Sequence, residues 1–264
     1  MLGGIDLGYS VAGAFVSFLV GLTGVGGGSL MAPILILLFG INPAVAVGTD
    51  LWFAALTKSA GGAIHHRLGS VDWALVIRLA IGSIPVAILT LVWLWLVQDG
   101  RLENEFLMRL LGAALLLTSV LMIVKPRIQP ALRKLRDRAG PGLRQRQLVL
   151  TVLAGGAIGG LVTLTSVGAG ALVAVVLAMI YPLRLTTKTI VGTDIMHAVP
   201  LTLIAATGHS FLGNVDGWLL ASLLIGSIPG IILGSLVGGR INENIVRYAL
   251  AAMLAVSAMK MLLG

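Results

Sequence analysis

The sequence contains no cysteine, and charged residues make up only 11% of its 264 residues. The absence of cysteine excludes disulfides and thiolate metal sites. Soluble domains carry about 25% charged residues, so a chain with this little charge cannot cover a folded surface that faces water. Hydrophobic residues instead make up 58% of the chain, and the mean hydropathy is +1.04. The composition therefore predicts an integral membrane protein.

Other patterns are missing as well. The apolar runs are long and continuous, so the short alternating segments of a membrane β-barrel are excluded. The four histidines form no H-E-x-x-H pattern, which would indicate a zinc site. No Lys or Arg precedes Lys58, so we expect no secretory signal peptide. We therefore predict an all-α membrane protein without a metal or a cofactor.

The net charge of +8 comes almost entirely from one segment. Residues 125–147 contain eight basic residues and one acidic residue, Asp137. Positively charged loops lie on the cytoplasmic side of membrane proteins, so we predict a basic cytoplasmic loop here. Contact of this segment with anionic lipids or a partner is the alternative interpretation. Because the rest of the chain is nearly neutral, its basic character does not indicate binding of nucleic acid.

The chain repeats itself across this segment. The V-G-T-D sequence that ends at Asp50 recurs at Asp194, and the I-G-S-I-P sequence that ends at Pro85 recurs at Pro229, both 144 residues later. Two matches at one offset indicate an internal duplication. We place the first transmembrane repeat at residues 1–124, the basic loop at 125–147 and the second repeat at 148–264.

Each half contains five apolar segments: 8–22, 29–39, 44–64, 73–97 and 104–124, then 148–163, 169–181, 187–208, 217–238 and 244–262. A spanning helix needs about 20 residues, so the first two segments of each half are predicted to form a short hairpin with a glycine-rich tip. The prediction is about 8–10 transmembrane helices. Five segments per half give the halves opposite orientations. This inverted-topology repeat is typical of secondary transporters, in which one half rocks against the other.

These features resemble the sulfite exporter TauE/SafE family. The resemblance rests on the two glycine-tipped hairpins, the V-G-T-D segments and the G-x-V-D turns that end at Asp72 and Asp216. It covers nearly the whole chain. It implies a secondary transporter in the bacterial inner membrane that exports a small sulfur-containing anion, such as sulfite or a sulfonate, driven by an ion gradient. Many members carry Ser after V-G-T, whereas both halves of this chain carry Asp.

A substrate site is predicted at the two glycine-rich turns. A helix N-terminus presents free backbone N–H groups and a partial positive charge, and glycine lets an anion approach that backbone. Close helix packing through glycine is the alternative interpretation. The predicted ligands are Thr23, Gly26, Gly27, Gly28 and Ser29 in the first turn, and Thr165, Ser166, Gly168 and Gly170 in the second.

Ionisable residues inside apolar segments form the second predicted group, because such residues are costly in a membrane. Lys58 is predicted to be the counter-charge of the anion. The alternatives are an ion pair with Asp50 or Asp194, or snorkelling to the membrane surface. The two aspartates are interpreted either as caps that satisfy the free N–H groups of their helices or as carriers of a coupling proton. His197 is interpreted as a proton carrier or an anion donor, or as a hydrogen-bonded residue between helices.

Two other functions stay open. One is a permease or channel for another small organic anion or for a cation, which the paired aspartates would favour. The other is an intramembrane enzyme, which needs a nucleophile with a base, and Ser166 has no such partner in the sequence pattern. The sequence makes no prediction about the oligomeric state.

Overall fold

A computed structural model describes residues 5–23, 30–97, 103–138, 142–168, 170–181, 185–238 and 243–263. All regular structure in these ranges is α-helical, which confirms the predicted fold class. The helices are α1 (Leu7–Thr23), α2 (Met31–Phe39), α3 (Pro43–Arg67), α4 (Trp73–Val97), α5 (Asn104–Arg138), α6 (Gly142–Thr165), α7 (Ala171–Ile180), α8 (Thr187–Phe211), α9 (Gly217–Gly238) and α10 (Glu243–Leu263).

Six of the described helices are long and apolar enough to cross a membrane: α4, α5, α6, α8, α9 and α10. Helix α3 has 25 residues but carries Asp50 and Lys58 in its interior, and it does not meet the same criterion. Helices α2 and α7 have only 9 and 10 residues, as the sequence predicts for the second segment of each half. The predicted total of about 8–10 membrane helices stays a prediction for α1, α2, α3 and α7.

Two local expectations were wrong. Residues 125–138 continue α5, and residues 142–147 form the first turns of α6, so most of the segment predicted as a loop is helical. Lys, Arg, Gln and Leu are good helix formers, and they dominate this segment. For the same reason α6 reaches 24 residues, enough to cross a membrane, whereas the sequence predicted a segment too short to cross.

The outer surface of the bundle is apolar. Phe211, Leu263 and Leu7 are 87%, 82% and 79% exposed, far more than large apolar side chains tolerate in water. Several polar and charged side chains are buried instead, among them Asp50, Asp194 and His197. This distribution is that of a protein whose surface faces lipid and whose polar groups face its interior.

The most extensive helix contacts all join one half of the chain to the other. Helix α1 packs against α9, α4 against α6, α5 against α10, and α3 against α8. By the sequence repeat, α1 corresponds to α6 and α4 to α9, so the first two pairs are equivalent to each other. The halves are therefore interleaved. Rocking of one whole half against the other, as expected from the repeat, would separate all four pairs, so the structure does not favour that motion.

Glycine makes two of these contacts possible. A Cβ atom on Gly82 of α4 would overlap the carbonyl oxygen of Val152 in α6, and one on Gly226 of α9 would overlap that of Ser10 in α1. Gly82 and Gly226 occupy equivalent positions in the repeated I-G-S-I-P sequence. Small residues of this kind let helix backbones approach closely in membranes. Gly82 and Gly226 therefore serve close packing between helices of the two halves.

Candidate functional site

The chain breaks its helical path between α6 and α7. Ser166 has a backbone φ of +56° and Gly168 a φ of +110°, angles that end a right-handed helix. The Thr165 hydroxyl donates to the Leu161 carbonyl (2.6 Å) and accepts from the Val167 N–H (3.1 Å). The break is buried, and α7 begins directly after Gly170, which has no side-chain capping bond. The second predicted turn is therefore a helix break with the N-terminus of α7 behind it.

The first predicted turn is only partly described. Gly26, Gly27, Gly28 and Ser29 lie outside the described residues. Thr23 is the last residue of α1. The substrate-binding role of this turn stays a prediction.

Asp50 and Asp194 lie inside their helices and do not cap them. Helix α3 begins at Pro43, and the Asn42 carboxamide oxygen accepts the N–H of Ala44 (3.0 Å). Helix α8 begins at Thr187, where the Thr186 hydroxyl accepts the N–H of Thr189 (3.1 Å). Each aspartate is thus more than one turn inside its helix and almost fully buried. The capping interpretation is wrong because both helices extend further toward their N-termini than the acidic residue.

The two aspartates are brought together around Lys58. Helices α3 and α8 pack against each other, and the Lys58 side chain, only 7% exposed, interacts electrostatically with Asp194 and Asp50. The carboxyl group of Asp50 also faces the Ser166 hydroxyl at the helix break and the backbone of Ala32 in α2. The structure therefore joins the charged residues of the prediction to the second predicted turn.

His197 has a partner that sequence reasoning missed. Its Nε2 lies 2.8 Å from the hydroxyl oxygen of Ser83 in α4, and both residues are completely buried. Lys58 acts electrostatically on the ring as well. Ser83 belongs to the I-G-S-I-P sequence that occurs in both halves, and that repetition is the signal that could have singled it out. The Nδ1 atom of His197 makes no hydrogen bond in the described part of the chain, so no carboxylate orients the ring as a Ser–His–Asp triad requires.

Several buried polar atoms of this cluster lack a hydrogen bond of normal geometry to the described residues. They are both carboxyl oxygens of Asp50, the Ser166 hydroxyl and Nδ1 of His197. A buried polar group without a partner costs about 1–3 kcal/mol, so native proteins rarely keep several together without a reason. Their convergence around one lysine is what a binding site for a small polar ligand would require. We use the name central cluster for six residues: Asp50, Lys58, Ser83, Ser166, Asp194 and His197.

Two equivalent hydrogen bonds hold the N-terminal halves of α3 and α8. The Thr49 hydroxyl accepts the N–H of Asp216 (3.1 Å), and the Thr193 hydroxyl accepts the N–H of Asp72 (3.0 Å). These bonds tie each helix to the turn that follows its counterpart in the other half. The two threonines that directly precede Asp50 and Asp194 thus anchor α3 and α8 to the turns of the opposite half. These anchors fix the directions in which the two aspartates point.

A second buried histidine, His209, lies outside the central cluster. His209 is buried and lies with Nε2 2.9 Å from the carbonyl oxygen of Thr163, so it connects α8 to α6. Within the described ranges, no three histidine or acidic residues are arranged to hold a metal ion.

Comparison with known proteins agrees with this picture. The family model described as "Sulfite exporter TauE/SafE" matches residues 9–261. The chain is 41% identical to "Probable membrane transporter protein YjnA" of Bacillus subtilis (strain 168), over 95% of this chain and 97% of that protein. It is 28% identical to a probable membrane transporter protein of Methanocaldococcus jannaschii, over 96% and 94% of the two chains. No solved structure shows a significant match.

Proposed function

This chain belongs to the sulfite exporter TauE/SafE family and is a multi-pass membrane transporter, and we propose that it exports a small sulfur-containing anion, such as sulfite or a sulfonate, by proton-coupled secondary transport. The membrane we propose is the inner membrane of a bacterium. The observation that supports the proposal best is the central cluster, where buried polar atoms near Lys58 lack a hydrogen bond of normal geometry to the described residues. A lysine ammonium and free donors at a helix break are complementary to an oxyanion.

The charges of the cluster support coupling to protons. With Asp50 and Asp194 ionised and Lys58 protonated, the cluster carries one net negative charge, and a bound anion would add another. Two like charges in a buried site of low dielectric constant repel each other strongly. A proton on one carboxyl group removes this repulsion. We propose Asp50 as the proton carrier, because neither of its oxygens forms a hydrogen bond of normal geometry to the described residues. Asp194 and His197 are the other candidates.

The substrate would lie between Lys58 and the break before α7. The proposed donors to its oxygen atoms are Ser166, whose backbone has a φ of +56°, and the backbone N–H groups of Gly168 and Gly170. Thr165 holds the break in shape through its two hydrogen bonds. The first glycine-rich turn, with Thr23, Gly26, Gly27, Gly28 and Ser29, is proposed to supply the equivalent donors from the other half.

Transport into proteoliposomes tests this proposal. Labelled sulfite and a small sulfonate would be offered with and without a pH gradient, using wild type, Lys58→Met and Lys260→Met. Lys260 is an exposed residue near the end of α10 and serves as the matched control. We expect saturable uptake that the gradient accelerates, that Lys58→Met abolishes and that Lys260→Met leaves intact.

The role of Asp50 has its own expected result. Asp50→Asn removes the ionisable group but keeps its shape, so we expect residual sulfite transport that no longer responds to the pH gradient. Unchanged acceleration by the gradient in Asp50→Asn would contradict the assignment of the proton to this residue. Asp194→Asn would then be examined in the same way.

A cation permease is the second candidate, because two carboxylates face a single lysine in the cluster. If cations were the substrate, neutralising Lys58 would raise the affinity for the cation. Two results together would favour this candidate. Lys58→Met would take up a monovalent cation faster than wild type does, and wild type would transport neither anion.

We also propose that the two halves have opposite orientations in the membrane. The equivalent hydrogen bonds of Thr49 and Thr193 support this, because each half binds the other in the same way. The chain has no cysteine, so single cysteines report their side of the membrane without background. Arg67 and Phe211 are exposed, occupy equivalent positions and each end a helix. A charged thiol reagent added outside cells should label Phe211→Cys but not Arg67→Cys.

A further inference from the structure

We propose that His197 donates a hydrogen bond from Nδ1 to an oxygen atom of the transported anion, and that Ser83 is the positioning residue that makes this possible. The inference rests on the proposed function, because the anion supplies the acceptor. It assigns a role to Ser83, whose counterpart in the second half of the repeat, Ser227, is also a serine.

The contact between Ser83 and His197 joins two helices in the interior of the bundle. Ser83 lies in α4 and His197 in α8, and these helices pack against each other. The Ser83 hydroxyl oxygen lies 2.8 Å from Nε2, and both side chains have no exposed surface. Water therefore does not compete for this hydrogen bond.

The Ser83 hydroxyl has one hydrogen to donate, and the atom that accepts it decides which nitrogen of the His197 ring carries the proton. Thr90, two turns later in α4, gives its hydroxyl hydrogen to the carbonyl of Val86 in its own helix (2.8 Å). Ser83 makes no such bond within the described residues, where Nε2 of His197 is its one partner. In this proposal the hydroxyl donates to Nε2, which accepts only when it carries no proton. The ring proton is then on Nδ1.

The Nδ1–H group points to no acceptor in the described part of the chain and is buried. Buried donors without an acceptor are rare in native proteins, since they lose their bond to water without a replacement. Lys58 acts electrostatically on the same ring. A donor N–H beside an ammonium group is suited to an oxygen of an anion, because hydrogen bonds to charged acceptors are the stronger ones.

The Ser83–His197 pair has no counterpart in the other repeat, although the chain is duplicated. The position equivalent to His197 is Phe53, and the position equivalent to Ser83 is Ser227, which is also buried. Phe53 has no group that could receive a hydrogen bond from a hydroxyl. Ser227→Ala therefore removes the same atom from the equivalent helix without touching the pair, which makes it the matched control for Ser83→Ala.

Nuclear magnetic resonance of ¹⁵N-histidine in the reconstituted full chain tests the state of the ring. The chain has four histidines, and the signals that disappear in His197→Asn belong to His197. We expect a protonated Nδ1 and an unprotonated Nε2 in wild type and in Ser227→Ala, and a mixture of both ring forms in Ser83→Ala. A protonated Nε2 in wild type would overturn the proposal.

Transport of sulfite tests the contact with the substrate. Ser83→Ala should raise the KM by the inverse of the fraction of rings that keep the Nδ1 proton, about twofold for an even mixture of ring forms, while Ser227→Ala stays near wild type. Asparagine places its amide N–H near the position of Nδ1, whereas glutamine reaches the position of Nε2. We therefore expect His197→Asn to keep more transport than His197→Gln.

The outcomes separate this proposal from the proposed function. Addition of sulfite should shift the Nδ1 signal of wild type, and no shift in a protein that transports sulfite would refute the role as a donor. Equal KM values in Ser83→Ala and Ser227→Ala would refute the positioning role of Ser83. If wild type transports neither sulfite nor a sulfonate, the proposed function is overturned, and with it the role of His197 as a donor to the anion. The ring form of His197 in Ser83→Ala still decides whether Ser83 positions His197.

Discussion

The buried charges of the central cluster allow a quantitative prediction about stability. Lys58 lies between Asp194 and Asp50, and all three are less than a tenth exposed. Replacing Lys58 by methionine keeps the length of the side chain but leaves two buried carboxyl groups without their counter-charge. Removing one partner of a buried charge pair costs about 3–5 kcal/mol. We expect Lys58→Met to lower the free energy of unfolding by about this amount.

A double-mutant cycle shows whether this cost belongs to the interaction with Asp194. Asp194→Asn alone leaves Lys58 with Asp50, so we expect a smaller loss than in Lys58→Met. In the double variant Lys58→Met/Asp194→Asn one carboxyl group is no longer charged. Interaction energies between groups in contact are about 0.5–3 kcal/mol, and we expect the double variant to be more stable than the sum of the single losses by an amount in this range.

Unfolding in detergent, followed by circular dichroism, is the assay. For a chain of this size about 1 kcal/mol corresponds to a change in melting temperature of roughly 2–4 °C, so the expected differences are measurable. The cycle of Lys260→Met with Asp194→Asn is the control and should be additive, because Lys260 is exposed in α10. Additivity within about 0.5 kcal/mol in the Lys58 cycle would refute the proposed coupling of these charges.

Two further predictions concern packing and anchoring. Gly82→Ala should destabilise the protein by about 1–3 kcal/mol, the usual cost of overpacking, because its Cβ would overlap a backbone carbonyl of α6. The control is Gly156→Ala, whose Cβ would lie 3.3 Å from the side chain of Val86 and 3.6 Å from the carbonyl oxygen of Gly82, so it should change the melting temperature little. Thr193→Val should lower the free energy of unfolding by about 1–3 kcal/mol, because the N–H of Asp72 loses its acceptor. Thr207→Val is the control, since its exposed hydroxyl donates to a carbonyl of its own helix. Equal losses in the two variants would contradict the anchoring role of Thr193.

The interleaved packing affects how access to the cluster could alternate. Helices α1 and α9, and equally α4 and α6, approach each other through glycine and come from different halves of the chain. A motion that keeps these pairs together moves helices of both halves as one unit. We therefore expect the moving units to be groups of packed helices rather than the two sequence repeats. Cross-linking of α1 to α9 through introduced cysteines should leave transport intact.

Much of the fold could be predicted from the sequence because it depends on local hydropathy. The scarcity of charge and the long apolar runs predict a helical membrane protein, and the bounds of residues 73–97 coincide with those of α4. The repeated V-G-T-D and I-G-S-I-P sequences identify two equivalent halves, and the short second and seventh segments are short helices. Ionisable residues in apolar segments stand out for the same reason, so the sequence alone singles out Asp50, Lys58, Asp194 and His197.

What only the tertiary structure decided is which residues meet. Whether Asp50 and Asp194 cap their helices or point into the interior depended on where α3 and α8 begin, and the N-cap residues Asn42 and Thr186 lie further upstream. That Ser83 meets His197 depends on the packing of α4 against α8, which are more than 100 residues apart in sequence. Hydropathy is a property of each segment, whereas helix partners are chosen by the shapes of distant surfaces. The sequence by itself therefore determined the helices and their charges, and the packing decided that those charges form one cluster.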